Sequence, residues 1–66
     1  DGFLETLSPI QREVFRLRFV DGLAIHEICG ILGKNESTVK THLYRAVERF
    51  REVAGLFERT AGEASR

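Results

Sequence analysis

Asn35-Glu36-Ser37-Thr38-Val39-Lys40-Thr41-His42-Leu43-Tyr44-Arg45-Ala46 reads as the opening of a helix with two unlike faces. Asn35 is a favoured N-cap residue, because its side-chain oxygen can accept one of the backbone N–H groups that a first turn leaves without a partner. Val39, Leu43, Ala46, Val47 and Phe50 recur at helical spacing and make an apolar stripe. Lys40, Thr41, Tyr44 and Arg45 fall on the polar side. One face suits a core and the other a partner.

Working upstream, Gly33-Lys34-Asn35 forms a tight connection, and before it Ile25, Ile28, Cys29 and Leu32 follow the i, i+3, i+4, i+7 pattern of a second, shorter helix. Gly30 lies inside that helix at a cost of about 1 kcal/mol relative to Ala, with close packing against a neighbour as one candidate reason. A short helix, a Gly-containing turn and a polar-faced helix together spell a helix-turn-helix. Earlier still, Ser8-Pro9-Ile10-Gln11 places a Ser N-cap before a Pro at the first helical position, with Gln11 placed to close a capping box. That first helix carries two apolar lines, Ile10, Val14 and Leu17, and Phe15 with Phe19. It should show Arg12, Glu13 and Arg16 outward and end at Asp21-Gly22. Phe3, Leu4 and Leu7 fit a short N-terminal helix or an apolar flap. The last helix should run to about Phe57, with a frayed or disordered tail over residues 58–66. No strand-like alternation and no internal repeat occurs, so the expected fold is all-α: a small domain of three to four helices over residues 1–57.

A chain of 66 residues forms one domain, whose core supplies a stability surplus of roughly 3 to 5 kcal/mol. With 42% apolar and 30% charged residues, the composition is that of a globular chain rather than a disordered one. No apolar run reaches the ~18 to 20 residues a bilayer requires, and the N-terminus has no signal-peptide pattern. The chain starts at Asp1, so upstream domains are expected to be missing. Formal net charge is zero, but its distribution is uneven. Residues 1–33 set Arg12, Arg16 and Arg18 against Asp1, Glu5, Glu13, Asp21 and Glu27, a net −2. Residues 34–51 set Lys34, Lys40, Arg45, Arg49 and Arg51 against Glu36 and Glu48, a net +3. The positive charge sits on and just after the two-faced helix, where a phosphate-facing surface needs it.

Catalysis finds little support: Ser8 and Ser37 belong to helix caps, there is no Gly-rich phosphate loop, and the carboxylates are scattered. A metal or other cofactor is not expected either, since His26, Cys29 and His42 are too few for a structural zinc site, and Cys29 points to the core while His26 points away. Arg18 and Glu27 flank neighbouring apolar stripes and either pair with each other or stand exposed. The signal lies in the polar helix face. The major groove of B-form DNA admits an α-helix, and the side chains near the N-terminal end of that helix reach base edges. Lys40 can donate to guanine as a point charge and Arg45 as a fork; Thr41 offers a hydroxyl and a methyl, and Tyr44 a flat face for a thymine methyl or a sugar. Ser37, Thr38 and His42, with Lys34 on the turn and Arg49 one turn later, suit phosphate contacts, which position without reading sequence.

Several blocks, in order, then resemble region 4 of bacterial RNA polymerase sigma factors, most closely the extracytoplasmic-function (ECF) group. They are Leu7-Ser8-Pro9-Ile10-Gln11-Arg12-Glu13-Val14-Phe15-Arg16-Leu17-Arg18-Phe19, then Asp21-Gly22-Leu23, Glu27-Ile28, Ile31-Leu32-Gly33, and Ser37 through Ala46. The resemblance covers about residues 3–55. It implies a domain that binds the minus-35 promoter element with its last helix and holds the flap of the polymerase β subunit. It implies base contacts at Lys40, Thr41, Tyr44 and Arg45, and backbone contacts at or beside Ser37, Thr38, His42 and Arg49. It also implies a cytoplasmic bacterial protein, monomeric as an isolated domain, with an anti-sigma factor as a further partner. Three departures stand out. His42 replaces a frequent Arg, which weakens the contact when the imidazole is neutral. Lys34 replaces an apolar residue on the turn, and Ala24 replaces a capping Ser or Thr at a loss of roughly 1 kcal/mol. Two alternatives share the pattern. A LuxR-type response-regulator domain has a similar Thr-Val-Lys block but dimerises through its last helix; a sigma-like module engaged by an anti-sigma factor would use the fold to bind protein.

Overall fold

Ser8 and Gln11 close the expected capping box: the Gln11 N–H donates to Ser8 Oγ at 3.3 Å, and the Ser8 N–H donates to Gln11 Oε1 at 3.3 Å. Helix α1 (Pro9–Phe15) therefore starts where the sequence places it. The computed structural model describes residues 2–64, with side chains through residue 55. From Arg16 the rod continues with a wider turn: Arg16–Val20 is π-helical, and the Asp21 N–H reaches back to the Arg16 carbonyl at 3.0 Å. Gly22 then takes a left-handed conformation at φ 73°, and the Leu23 N–H bonds to the Leu17 carbonyl at 3.0 Å, reversing the chain. The widened end keeps Leu17 buried but leaves Phe19 54% and Val20 71% exposed.

Helix α2 (Ile25–Leu32) begins without a hydroxyl cap. Ala24 has no side-chain acceptor, so only half a capping box exists, in which the Ala24 N–H donates to Glu27 Oε1 at 2.7 Å. Glu27 is thereby used at the cap rather than with Arg18. The Arg18 guanidinium donates to the Leu23 carbonyl at 3.4 Å and lies 5.8 Å from the Phe19 ring centre. Gly33, at φ 65°, ends α2, with the N–H groups of Gly33 and Lys34 both donating to the Cys29 carbonyl at 2.9 and 3.2 Å. Close packing does not explain Gly30, since a Cβ built there meets nothing within 4 Å.

Helix α3 (Glu36–Ala64) continues past the expected end near Phe57. A weakening apolar register removes a reason to pack but not the backbone ladder, and the segment after Gly55 is rich in Ala, Glu and Arg, good helix formers. Of the tail expected to be frayed or disordered over residues 58–66, the backbone is helical through Ala64, and residues 65 and 66 lie outside the described residues. No strand occurs among the described residues, and no helix there is long and apolar enough to cross a membrane. The fold is all-α, with α2, the turn and α3 forming a helix-turn-helix.

The core is where the three helices meet: Val14, Ile28 and Val39 are fully buried, with Leu17 beside them. Ile10, the first residue of the expected apolar line on α1, packs at the edge of this core, as do Leu32 and Leu43. The N-terminal residues form a short 3-10 helix (Gly2–Thr6), the first of the two forms expected there. Phe3 packs edge-on against Phe15 at 5.1 Å and Phe50 at 5.4 Å, a geometry aromatic rings favour. Arg12 departs from its expected outward position. It is half-buried and donates through Nε to the Leu4 carbonyl at 3.1 Å and through a terminal nitrogen to the Leu7 carbonyl at 3.4 Å. The Leu4 carbonyl also accepts the Leu7 N–H at 3.3 Å, so the guanidinium fork fastens the end of the N-terminal turn to α1.

Candidate nucleic-acid interface

Asn35 fixes the start of α3 and so the orientation of everything on it. Its Oδ1 accepts the Thr38 N–H at 2.8 Å, and its carbonyl accepts the Val39 N–H at 3.1 Å. With the register set, Val39 and Ala46 are fully buried, which aims the opposite side of the helix at solvent. Lys40, Thr41, Tyr44 and Arg45 come together there around one shallow depression. Tyr44 is 65% exposed, a large aromatic surface with no core to cover it. The same depression is lined by Glu48, which a search for polar and basic positions does not single out. Its signal is its spacing, since Thr41, Arg45 and Glu48 succeed one another at helical intervals.

Local partners already limit what each group can do. Lys40 Nζ lies 3.7 Å from Glu36 Oε1, an exposed i, i+4 pair of small energetic value, so a phosphate or base can displace it cheaply. Thr41 Oγ1 donates to the Ser37 carbonyl at 2.9 Å; its oxygen lone pairs and methyl remain for a partner. Arg45 has no hydrogen bond or ion pair among the described residues, which leaves its fork free.

The five positions expected to meet phosphate are spread more widely. Lys34 on the turn and Ser37 in the first turn of α3 are exposed. Thr38 and His42 are half-buried. His42 Nδ1 is buried without a hydrogen-bond partner among the described residues, so any anion contact falls to Nε2. Arg49 is turned to the N-terminal segment: its Nε donates to Thr6 Oγ1 at 3.2 Å and a terminal nitrogen to Glu52 Oε1 at 2.9 Å. Elsewhere on the domain lies a second surface, an apolar groove of about 420 Å³ lined by Phe15, Phe19, Val47, Phe50 and Arg51. Half of Phe50 is exposed there. Among the described residues, no group of three His, Cys, Asp or Glu side chains is placed to hold a metal.

Comparison with known proteins assigns a family to this arrangement. The Sigma-70, region 4 family matches residues 1–50. Among curated proteins, the chain is 49% identical over 41 residues to the ECF RNA polymerase sigma factor BldN of Streptomyces coelicolor, covering 62% of this chain and 16% of that protein. It is 42% identical over 48 residues to the RNA polymerase sigma factor SigV of Bacillus subtilis, covering 73% of this chain and 29% of that protein. It is 41% identical over 49 residues to the RNA polymerase sigma-E factor of Streptomyces coelicolor, covering 74% and 28%. The chain thus spans between 16% and 29% of the length of these relatives. No solved structure matches it. The first helix, α2, the turn and the part of α3 that bears the polar face all fall within the matched residues, and the chain belongs to the sigma-70 region 4 family, of the ECF-like kind.

Proposed function

We propose that this chain is the promoter-recognition domain of an RNA polymerase sigma factor, which lays α3 in the major groove of the minus-35 element to place the polymerase for transcription initiation. The observation that carries the reading is the convergence of Lys40, Thr41, Tyr44 and Arg45 on the solvent side of α3, just after a capped helix start. Lys40 and Arg45 donate to guanine edges, Tyr44 covers an apolar edge, and the Thr41 methyl and lone pairs fit a thymine methyl or a base amine. Lys34, Ser37, Thr38, His42 and, once released from Thr6 and Glu52, Arg49 contact phosphates on either side. The chain contributes binding rather than catalysis.

The apolar groove favours a protein partner for the same domain. Exposed Phe19 and Phe50, at 54% and 50%, offer an aromatic surface that DNA does not use, and we assign it to the polymerase β-subunit flap, with an anti-sigma factor as its competitor. The sigma-70 region 4 match supports this reading over a LuxR-type response-regulator domain. The test is reconstituted transcription: core polymerase with a sigma factor carrying residues 1–66 as its region 4 should initiate at a promoter with an intact minus-35 element and fail when that element is scrambled. Initiation indifferent to the scrambling would end the minus-35 reading.

A further inference from the structure

Glu48 is the acidic residue among the five that line the depression with Lys40, Thr41, Tyr44 and Arg45. It follows Tyr44 by i+4 and Arg45 by i+3, so helix geometry sets the three side chains side by side. Glu48 is exposed. Among the described residues it has no hydrogen bond or ion pair, and neither has Arg45, whereas Lys40 and Arg49 are paired with Glu36 and Glu52. A carboxylate in this place is not spent on holding its cationic neighbours.

On a surface that meets DNA, a carboxylate is repelled by phosphate and by the acceptor atoms of guanine and thymine in the major groove. Its complement is the exocyclic amine of cytosine, a donor without the neighbouring N7 acceptor that accompanies the amine of adenine. At 1.5 Å per residue, Glu48 lies about 4.5 Å beyond Arg45 along the helix, close to the ~3.4 Å spacing of successive bases. A guanine under Arg45 therefore brings the edge of the next base pair under Glu48. We propose that Glu48 is a specificity-determining residue, which accepts a hydrogen bond from the amine of a cytosine in the base pair beside the one read by Arg45 and disfavours guanine or thymine there. The proposal rests on the promoter-binding reading of α3.

The test uses the 66-residue chain, its fold checked by circular dichroism, and fluorescently labelled duplexes in which each position of the bound element carries each of the four base pairs in turn. Wild type should prefer cytosine at one position by about five- to tenfold. Glu48→Ala should flatten that preference, binding cytosine more weakly and guanine or thymine more strongly, while leaving the preference at the Arg45 position. Glu48→Gln should move it from cytosine to adenine, since a carboxamide pairs with the adenine edge. A Glu48→Ala chain that binds every duplex more tightly by one common factor would place Glu48 against phosphate and overturn the proposal alone. A wild-type chain without base preference at any position would overturn it together with the promoter-binding reading.

Discussion

Replacing Arg45 with Ala separates base reading from folding, because among the described residues no hydrogen bond or ion pair depends on that side chain. Arg45 is exposed. Ala is also the stronger helix former, so the fold should hold to within about 0.5 kcal/mol. A bidentate Arg–guanine contact discriminates by about 1 to 3 kcal/mol, which is a loss of about 5- to 150-fold in affinity for the preferred duplex. Loss on a duplex with the guanine replaced should be small, because that contact is already absent. Arg45→Lys keeps the charge but not the fork and should fall between wild type and Ala. Anisotropy titrations against both duplexes, repeated over a range of salt, measure all of this. Equal losses on both duplexes, with the salt slope reduced by about 0.9, would make Arg45 a phosphate contact and refute its role as a base reader.

Other outcomes concern the scaffold that presents this face. Ile28 is fully buried where the three helices meet; Ile28→Ala should cost about 2 to 5 kcal/mol, enough to unfold so small a domain, as a lost thermal transition in circular dichroism would show. Ala24→Ser supplies the missing acceptor opposite Glu27 at the start of α2 and should stabilise by about 0.5 to 1 kcal/mol in urea titration; no gain would mean that the hydroxyl does not cap the Glu27 N–H. Gly30→Ala places a methyl in open space on a helix and should raise the melting midpoint, with a gain of about 0.5 to 1 kcal/mol; a fall would mean that the methyl meets a neighbour and that the space is not open.

Local rules reach far into the architecture. The Ser8–Gln11 box, Gly22, Gly33 and the Asn35 cap each use side-chain or backbone chemistry confined to a few neighbouring residues, and each stands where the sequence places it. What the sequence does not disclose involves groups distant along the chain or choices of nearly equal energy. Arg12 looks like an outward cation on a helical wheel, but the carbonyls of Leu4 and Leu7 draw it across the N-terminal turn. Arg49 is likewise engaged by Thr6, 43 positions away. The π-helical turn at Arg16–Val20 trades one hydrogen-bond register for another and leaves no compositional mark. Of the candidate site, Lys40, Thr41, Tyr44 and Arg45 are legible because period and cap suffice to place them on one face. Glu48 is not, because attention to cations passes over an acid in their midst.

Selection from randomised duplexes by the 66-residue chain asks whether the solvent face of α3 selects DNA sequence. Wild type should enrich a short motif containing guanine, whereas the folded Lys40→Ala, Thr41→Ala, Tyr44→Ala, Arg45→Ala quadruple variant should enrich none. The same motif recovered by both proteins would show that sequence selection does not lie on this face.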